Sequence, residues 1–314
     1  MQHIEWDVII AGGGPAGLSA ALMLGRSRRR VLVIDSGSPR NRFAAHMHGV
    51  LGQEGVAPAE LAQRGRAEAA DYGVEFRDTV VERVDREPEG VLVTTADGMA
   101  LHARALVAAT GLRDRLPEVA GLAERWGSTV LHCPYCHGWE VRDQRLGVLT
   151  TSPVGLHQAE LIRQWSDRVV VFTAGLGELG DEAQARLRAR GVRLESEPVE
   201  QILGEGAAIS GVRLRGGRTV SVDAIFTAGA AVARDRYLAH LCLDRTETPF
   251  GSFVSTDATG RTSDERVWAV GNIVNPAANV PMSIGAGAFA GGAVNGALVA
   301  WDFDAAVREQ MPVR

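Results

Sequence analysis

Three observations predict an α/β fold built from two Rossmann-like dinucleotide-binding units, the second inserted into the first. Asp7-Val8-Ile9-Ile10-Ala11 is a continuous apolar run, followed at once by Gly12-Gly13-Gly14-Pro15-Ala16-Gly17, a helix of small residues, and a second apolar run, Val31-Leu32-Val33-Ile34, that ends on Asp35. A second strand–helix–strand set lies at 146–172. A strand and a Gly-rich helix then return at 267–299, as they must if the first unit is interrupted. The boundaries drawn from this pattern are 1–117 with 245–314 for the first unit and 118–244 for the insert.

Each element has a local reason. Short unbroken apolar runs mark parallel strands buried on both faces. In the G-x-G-x-x-G turn, Gly12 permits the tight bend, Gly14 lets backbone approach a pyrophosphate, and Gly17 lets helix and strand pack closely. The helix that starts at Pro15 and Ala16 offers free N–H groups and a positive dipole end to phosphate. Asp35, about twenty residues on, is placed to accept hydrogen bonds from a ribose. Residues 36–60 read as loop, 60–70 as helix, and 74–84 as one strand. Residues 91–95 and 101–109 form a hairpin about Asp97-Gly98, ending in Ala109-Thr110-Gly111. In the insert, 146–149 and 169–172 are strands, 155–165 and 183–190 helices, and 209–214, 219–222 and 224–226 short strands about Gly216-Gly217. Val267-Trp268-Ala269-Val270-Gly271-Asn272 is a strand with a Gly-rich continuation, and 285–299 the last helix.

Composition narrows the function. A chain of 314 residues accommodates two domains with buried cores. A net charge of -5 gives no electrostatic case for nucleic acid or an anionic membrane, and the cluster Arg26, Arg28, Arg29, Arg30 reads as a solvated helix end. The chain contains no lysine, which excludes lysine Schiff-base chemistry and a P-loop lysine. The first residues lack the basic and apolar regions of a signal peptide, and the stretch 280–300 is too rich in glycine and small residues to look like a lipid-facing span. The expectation is a cytoplasmic protein. Three cysteines, two of them in Cys133-Pro134-Tyr135-Cys136, read as a redox pair plus one thiol, Cys242, expected to be buried among leucines.

The stretch Cys133–Gly138 holds the redox chemistry. A C-x-x-C pair closes and reopens a small disulfide. The following His137 also creates a c-type haem pattern, but that chemistry needs export and an axial ligand, and the flanks here are dinucleotide-fold strands. His132, Cys133, Cys136 and His137 form a weak zinc set, because no second ligand pair follows at a distance. Two unreacted structural cysteines remain the plainest alternative.

Taken together, Gly12–Gly17, Asp35, Ala109-Thr110-Gly111, Cys133–Gly138, and Val270-Gly271-Asn272 with Pro281-Met282 resemble the low-molecular-weight thioredoxin reductase-like flavoproteins, over nearly the whole chain. Within them, Ser36-Gly37-Ser38-Pro39-Arg40-Asn41, His46-Met47-His48-Gly49 and Cys-Pro-Tyr-Cys-His-Gly look like the dithiol oxidases of the gliotoxin and holomycin type. The resemblance implies FAD on the first unit, held by Gly12, Gly14, Pro15, Ala16, Gly17, Asp35, Ser36, Arg40, Asn41, His48, Val81, Thr110, Gly111, Gly271, Asn272 and Met282. It implies catalysis by Cys133 and Cys136 on the insert, a small-molecule dithiol substrate, dioxygen as electron acceptor giving hydrogen peroxide, and a homodimer. His46 and His48 would lie near the flavin or the substrate entrance, or simply be exposed loop histidines.

The sequence departs from the reductase pattern in three places. Where reductases carry a second glycine-rich turn for NADPH, this chain has Thr151-Ser152-Pro153-Val154-Gly155-Leu156, with one glycine and a proline lacking an N–H. Where they place basic residues for a 2′-phosphate, it has Thr173-Ala174-Gly175-Leu176-Gly177-Glu178. His137 replaces an acid after the second cysteine and is a candidate proton acceptor; Asn272 replaces an aspartate near the ribityl chain and retains hydrogen-bonding capacity. The expected direction is therefore oxidation of thiols. The alternatives are a protein-disulfide reductase fed by NADPH or a donor such as ferredoxin, and a flavin-binding sensor with a vestigial relay.

Overall fold

The computed structural model describes residues 5–152 and 154–310. The chain divides into two compact units, one of residues 1–40, 59–113 and 231–314, the other of 41–58 and 114–230. The sequence pattern assigned the loop 41–58 to the first unit and 231–244 to the insert. Side chains explain the loop's membership: Phe43 packs on Gly127, where an added Cβ would lie 2.5 Å from the Phe43 Cβ, and His48 meets Glu140. No apolar periodicity announces either contact.

In the first unit, four parallel pairings join Glu75–Asp78, Val31–Asp35, Trp6–Ala11, Ala100–Ala108 and Val267–Ala269. The long strand Ala100–Ala108 continues the sheet antiparallel through Gly90–Thr95 to Val81–Glu87. The expected single strand 74–84 is two strands, Glu75–Asp78 and Val81–Glu87, at opposite ends of the strand order. Only Thr79 and Val80 join them, and three Cα steps reach at most about 11 Å. Five flat strand spacings would need about 24 Å. The sheet therefore folds over itself.

The helix Pro15–Arg26 begins with proline at its first turn, where the missing N–H costs nothing. Its inner face, Ala16, Ala20, Ala21 and Leu24, is buried with Val8, Ile10, Val31 and Val33. The last helix, Val280–Gln310, is longer than the expected 285–299 and is long and apolar enough by composition to cross a bilayer. Here it lies along Pro15–Arg26, with Gly291 against Ala20 and with Ala290, Val294 and Leu298 in the core.

In the second unit, five parallel strands run in the order Arg193–Glu195, Val169–Phe172, Leu146–Leu149, Ala224–Thr227 and Val130–Leu131. The strand Ala224–Thr227 belongs here. The hairpin about Gly216-Gly217 pairs only Gly211–Leu214 with Thr219–Val220, and Val199–Leu203 extends it.

Candidate active site

The cysteines leave the carboxyl end of the edge strand Val130–Leu131, the end of a parallel sheet at which such folds place their ligands. Cys133 caps a single helical turn, Pro134–His137, and its carbonyl accepts from the N–H groups of Cys136 and His137, both at 3.2 Å. That turn brings the two Cα atoms to 5.3 Å, and a disulfide joins Cys133 to Cys136. Gly138 closes the turn against Trp165: an added Cβ would stand 2.6 Å from the Pro134 carbonyl oxygen and 2.7 Å from the indole. Tyr135 meets the same indole edge-on at 5.8 Å. Gln158, buried on the neighbouring helix, donates to the carbonyl of His132 at 2.5 Å. The cysteine turn is thus pinned from below and before it, while Tyr135 and Trp139 are exposed.

His137 is half-buried. Burial pushes its imidazole below the usual histidine range, with Glu140 opposing that shift and His48 adding to it. His48 itself is held on both sides, its Nδ1 2.7 Å from Glu54 and its Nε2 3.5 Å from Glu140. Glu54 also accepts from the Gly49 N–H at 2.8 Å, and the His48 bond holds its carboxyl below the usual range. His46 is exposed and its ring nitrogen lies 3.0 Å from the carbonyl of Gly55.

In the first unit, Gly12 has φ +105°, a conformation that L side chains rarely adopt. Gly17 packs directly on the Gly12 carbonyl. Gly14 is the N-cap of Pro15–Arg26; it carries no side-chain cap, the first turn holds no acid, and an added Cβ would meet no atom within 4 Å. A helix N-terminus left uncapped behind open backbone suits a pyrophosphate. Asp35 ends its strand beside Gly13, whose Cβ would be 3.0 Å from the carboxylate. Thr110 donates to the Arg234 carbonyl at 2.6 Å, Gly111 has φ +66°, and Gly271 packs against Ala16.

The family model for pyridine nucleotide-disulphide oxidoreductases matches residues 6–291. The chain belongs to that family. This oxidoreductase is 31% identical to "Thioredoxin reductase tcpT" of Claviceps purpurea, over 91% of its own length and 92% of the relative. It is 29% identical to "Thioredoxin reductase sirT" of Leptosphaeria maculans, over 92% and 93%. Among solved structures, the crystal structure of HlmI superposes with a TM-score of 0.93 at 46% identity, covering 97% of this chain and 96% of that one. An oxidoreductase from Agrobacterium tumefaciens gives 0.89 at 37% identity, over 94% and 99%. The oxidoreductase is therefore a thioredoxin reductase-like flavoprotein acting on thiols and disulfides, with FAD as its cofactor.

The cradle around Gly12, Gly14 and Gly17 fits that cofactor. Pro15, Ala16, Asp35, Ser36, Arg40, Thr110, Gly111, Gly271, Asn272, Val81 and Met282 all fall in the same unit as these glycines, whereas Asn41 and His48 cluster with the cysteines. Ser36 and Met282 are exposed. Val81 buries its side chain in the core with Ile9 and Ile34, so only its backbone faces outward chemistry. Asn272 is occupied locally: its amide donates to the carbonyls of Asn275 at 2.9 Å and Ala278 at 2.9 Å, and its oxygen accepts from Arg40 at 3.4 Å. It organises the 275–278 turn as the structure stands.

The two glycine turns can be compared in register. Thr150 stands where the first turn has Gly12, Ser152 where it has Gly14, Pro153 where it has Pro15, and Gly155 where it has Gly17. Pro153 lies outside the described residues, and because Pro15 occupies the same place in a turn that fits FAD, a proline there is no argument against a nucleotide. Thr150 is the stronger one. It is buried, its hydroxyl donates to the Phe172 carbonyl at 2.7 Å, and it is absent from the described positive-φ residues. Gly155 packs on the Thr150 side chain, at 2.9 Å for an added Cβ, where Gly17 packs on a bare carbonyl. Glu178 is exposed on the loop after the next strand.

Cys242 corrects one expectation. It is exposed, with φ 51°, at the end of the turn Arg236–Leu241. Its leucine neighbour Leu241 turns into the core and leaves the thiol outside. Two residues of the cysteine site escaped the sequence reading. Glu140 lies in the turn that follows the helix ending at His137, where no helical period marks it. Glu54 sits in a loop with no periodicity to reveal it.

Proposed function

We propose that this flavoprotein oxidises a small-molecule dithiol to a disulfide through Cys133 and Cys136, with dioxygen as the final electron acceptor. The observation that carries the reading is the pairing of a half-buried neutral histidine next to Cys136 with a second dinucleotide turn that holds Thr150 in the place of its first glycine. The first suits removal of thiol protons, and the second disfavours electron supply from a pyridine nucleotide.

A substrate thiolate attacks the Cys133 sulfur, the Cys133–Cys136 bond breaks, and Cys136 leaves as thiolate. The second substrate thiol gives its proton to His137 and attacks the substrate sulfur of the mixed disulfide. The substrate S–S bond forms as Cys133 leaves, so the substrate loses two electrons and the cysteine pair gains them. Exposed Tyr135 and Trp139 offer flat apolar contact to a ring-bearing substrate at the mouth of this site. The cradle at Gly12, Gly14 and Gly17 with Asp35 would hold FAD, which when bound would supply a two-electron path from the reduced cysteines to dioxygen, two protons being taken up as hydrogen peroxide forms.

The competing reading is a protein-disulfide reductase fed by a pyridine nucleotide, and the relatives' printed names favour it. Anaerobic mixing separates the two. Dithiol should bleach the yellow flavin and NADPH should leave it oxidised; air should then restore the colour with one peroxide per disulfide. Rapid bleaching by NADPH, with no peroxide from dithiol and air, would overturn the oxidase reading.

A further inference from the structure

The last helix carries glycine on two of its faces, and only one of them is explained within the chain. On the inner face a Cβ added at Gly287 would collide with the Ala16 carbonyl, and one at Gly291 would lie 2.9 Å from the Ala20 carbonyl oxygen. These two glycines let the helix seat backbone to backbone on Pro15–Arg26. On the outer face Gly285, Gly292 and Gly296 are exposed, and a Cβ added at any of them would meet no atom within 4 Å. Glycine weakens a helix interior relative to alanine, so these three cost the single chain stability that no contact within it requires. They share the face with large apolar side chains: Phe289 is 62% exposed, Val299 40% and Phe303 71%. Positions 285, 289, 292, 296, 299 and 303 alternate by four and three residues, the heptad spacing of a helix seam that faces another helix. No charged residue occurs from 280 to 301.

We propose that this face seats a second copy of the chain, with the two last helices antiparallel across a two-fold axis at Gly292. The helix is self-complementary about that residue. Phe289 lies three residues before it and Gly296 four after; Gly285 lies seven before and Val299 seven after. An antiparallel copy therefore sets Phe289 against Gly296 of the partner subunit and Val299 against Gly285 of the partner subunit, and symmetry repeats both contacts. Charge selects the same direction. Asp304 lies twelve residues after Gly292, and Val280, where the helix starts, twelve before. The first turn holds no acid, so the exposed Asp304 carboxylate stands beside the positive end of the partner helix. A parallel copy would instead stack Phe289 on its own counterpart and bring Asp302, Asp304 and Glu309 of both chains together. Missing Cβ atoms favour a second backbone, which they let approach closely, over the lipid that a helix of this composition could also meet.

The test uses the full FAD-loaded chain, with sedimentation velocity over a range of concentrations and the flavin-to-protein ratio measured alongside. The parent should sediment with the mass of two chains. Gly296→Leu fills the hollow that Phe289 enters, while its Cβ meets nothing in its own chain. It should raise the dimer dissociation constant about tenfold to a hundredfold and keep the parent's flavin content. Phe289→Ala should weaken the dimer as well. Phe289→Ala combined with Gly296→Leu exchanges large for small across the axis and should recover most of the loss. In a Cys242→Ser background, Gly292→Cys should close a disulfide to its own counterpart under mild oxidant. Val307→Cys should not, because antiparallel helices hold its two copies about 45 Å apart. A parent that stays monomeric, a dimer indifferent to Gly296→Leu, a Gly292→Cys protein that forms no covalent dimer, or a covalent dimer from Val307→Cys would each overturn the proposal. So would a monomer captured by phosphatidylcholine vesicles. The cross-linking arm reads the geometry even where Gly296→Leu fails to fold.

Discussion

Replacing Gly14 and Gly17 one at a time separates the cofactor cradle from the scaffold behind it. At Gly14 the backbone has φ -77°, which any residue adopts, and an added Cβ finds no protein atom within 4 Å. Gly14→Ala should leave the apoprotein's melting temperature unchanged and put a methyl group where the pyrophosphate approaches. At Gly17 the added Cβ collides with the Gly12 carbonyl and lies 3.3 Å from the Ala109 Cβ, neither of which is the end of a flexible side chain. Gly17→Ala should therefore cost about 1–3 kcal/mol of overpacking in the apoprotein itself. FAD at a hundredfold excess over its dissociation constant stabilises the folded state by about 2.7 kcal/mol. Thermal unfolding with and without added FAD, together with the flavin-to-protein ratio after gel filtration, reads both effects. Gly14→Ala should lose the FAD-dependent part of its stability and retain the rest; Gly17→Ala should lose both. A Gly14→Ala protein that keeps full flavin, or a Gly17→Ala apoprotein that melts with the parent, would refute the assignment of the two glycines.

Two further outcomes follow from the second unit's titrating histidine and the displaced thiol. Burial lowers the His137 proton affinity, so its neutral, proton-accepting form is the one present at neutral pH and is lost only as pH falls through a value below that of an ordinary histidine. The rate of disulfide reduction by dithiothreitol, divided by that of His137→Gln, should be flat from pH 7 to 8 and decline on acidification; a ratio independent of pH throughout would remove His137 from proton transfer. Cys242 is exposed and outside the core, so Cys242→Ser should change stability by no more than about 0.5 kcal/mol in denaturant titration. The oxidised native parent should present one thiol to Ellman's reagent and the variant none, and a slow-reacting thiol in the parent would restore the buried placement.

Most of the frame was legible because it is written in short-range chemistry. Apolar runs of four to six residues, a glycine turn, a helix and an acid follow one another within thirty residues, and the pairing of Trp6–Ala11 with Val31–Asp35 on one side and Ala100–Ala108 on the other completes that pattern. The strand 74–84 was misread because Thr79 and Val80 look no less extended than their neighbours, and only the folding over of the sheet divides them. Pro153 was overread for a related reason: a proline's local constraint is plain in a sequence, whereas the relevant contrast was between Thr150 and Gly12, which needs the register of two turns laid side by side.

Spacing along the chain alone determined the candidate redox pair and the dinucleotide fingerprint, because a C-x-x-C turn and a G-x-G-x-x-G turn act through neighbours three to six residues apart; the family followed from the resemblance these motifs carry and from the match over residues 6–291. Tertiary structure decided what stands around the cysteines. Glu54 and His48 come from a loop some eighty residues before Cys133 and reach Glu140 only because Phe43 seats on Gly127 and Met47 and Val50 are buried. Cys242 and Leu241 are adjacent in sequence, yet one left-handed residue sends the thiol outward and the leucine in. Such contacts depend on where distant segments are brought by core packing, and no period in the sequence encodes them.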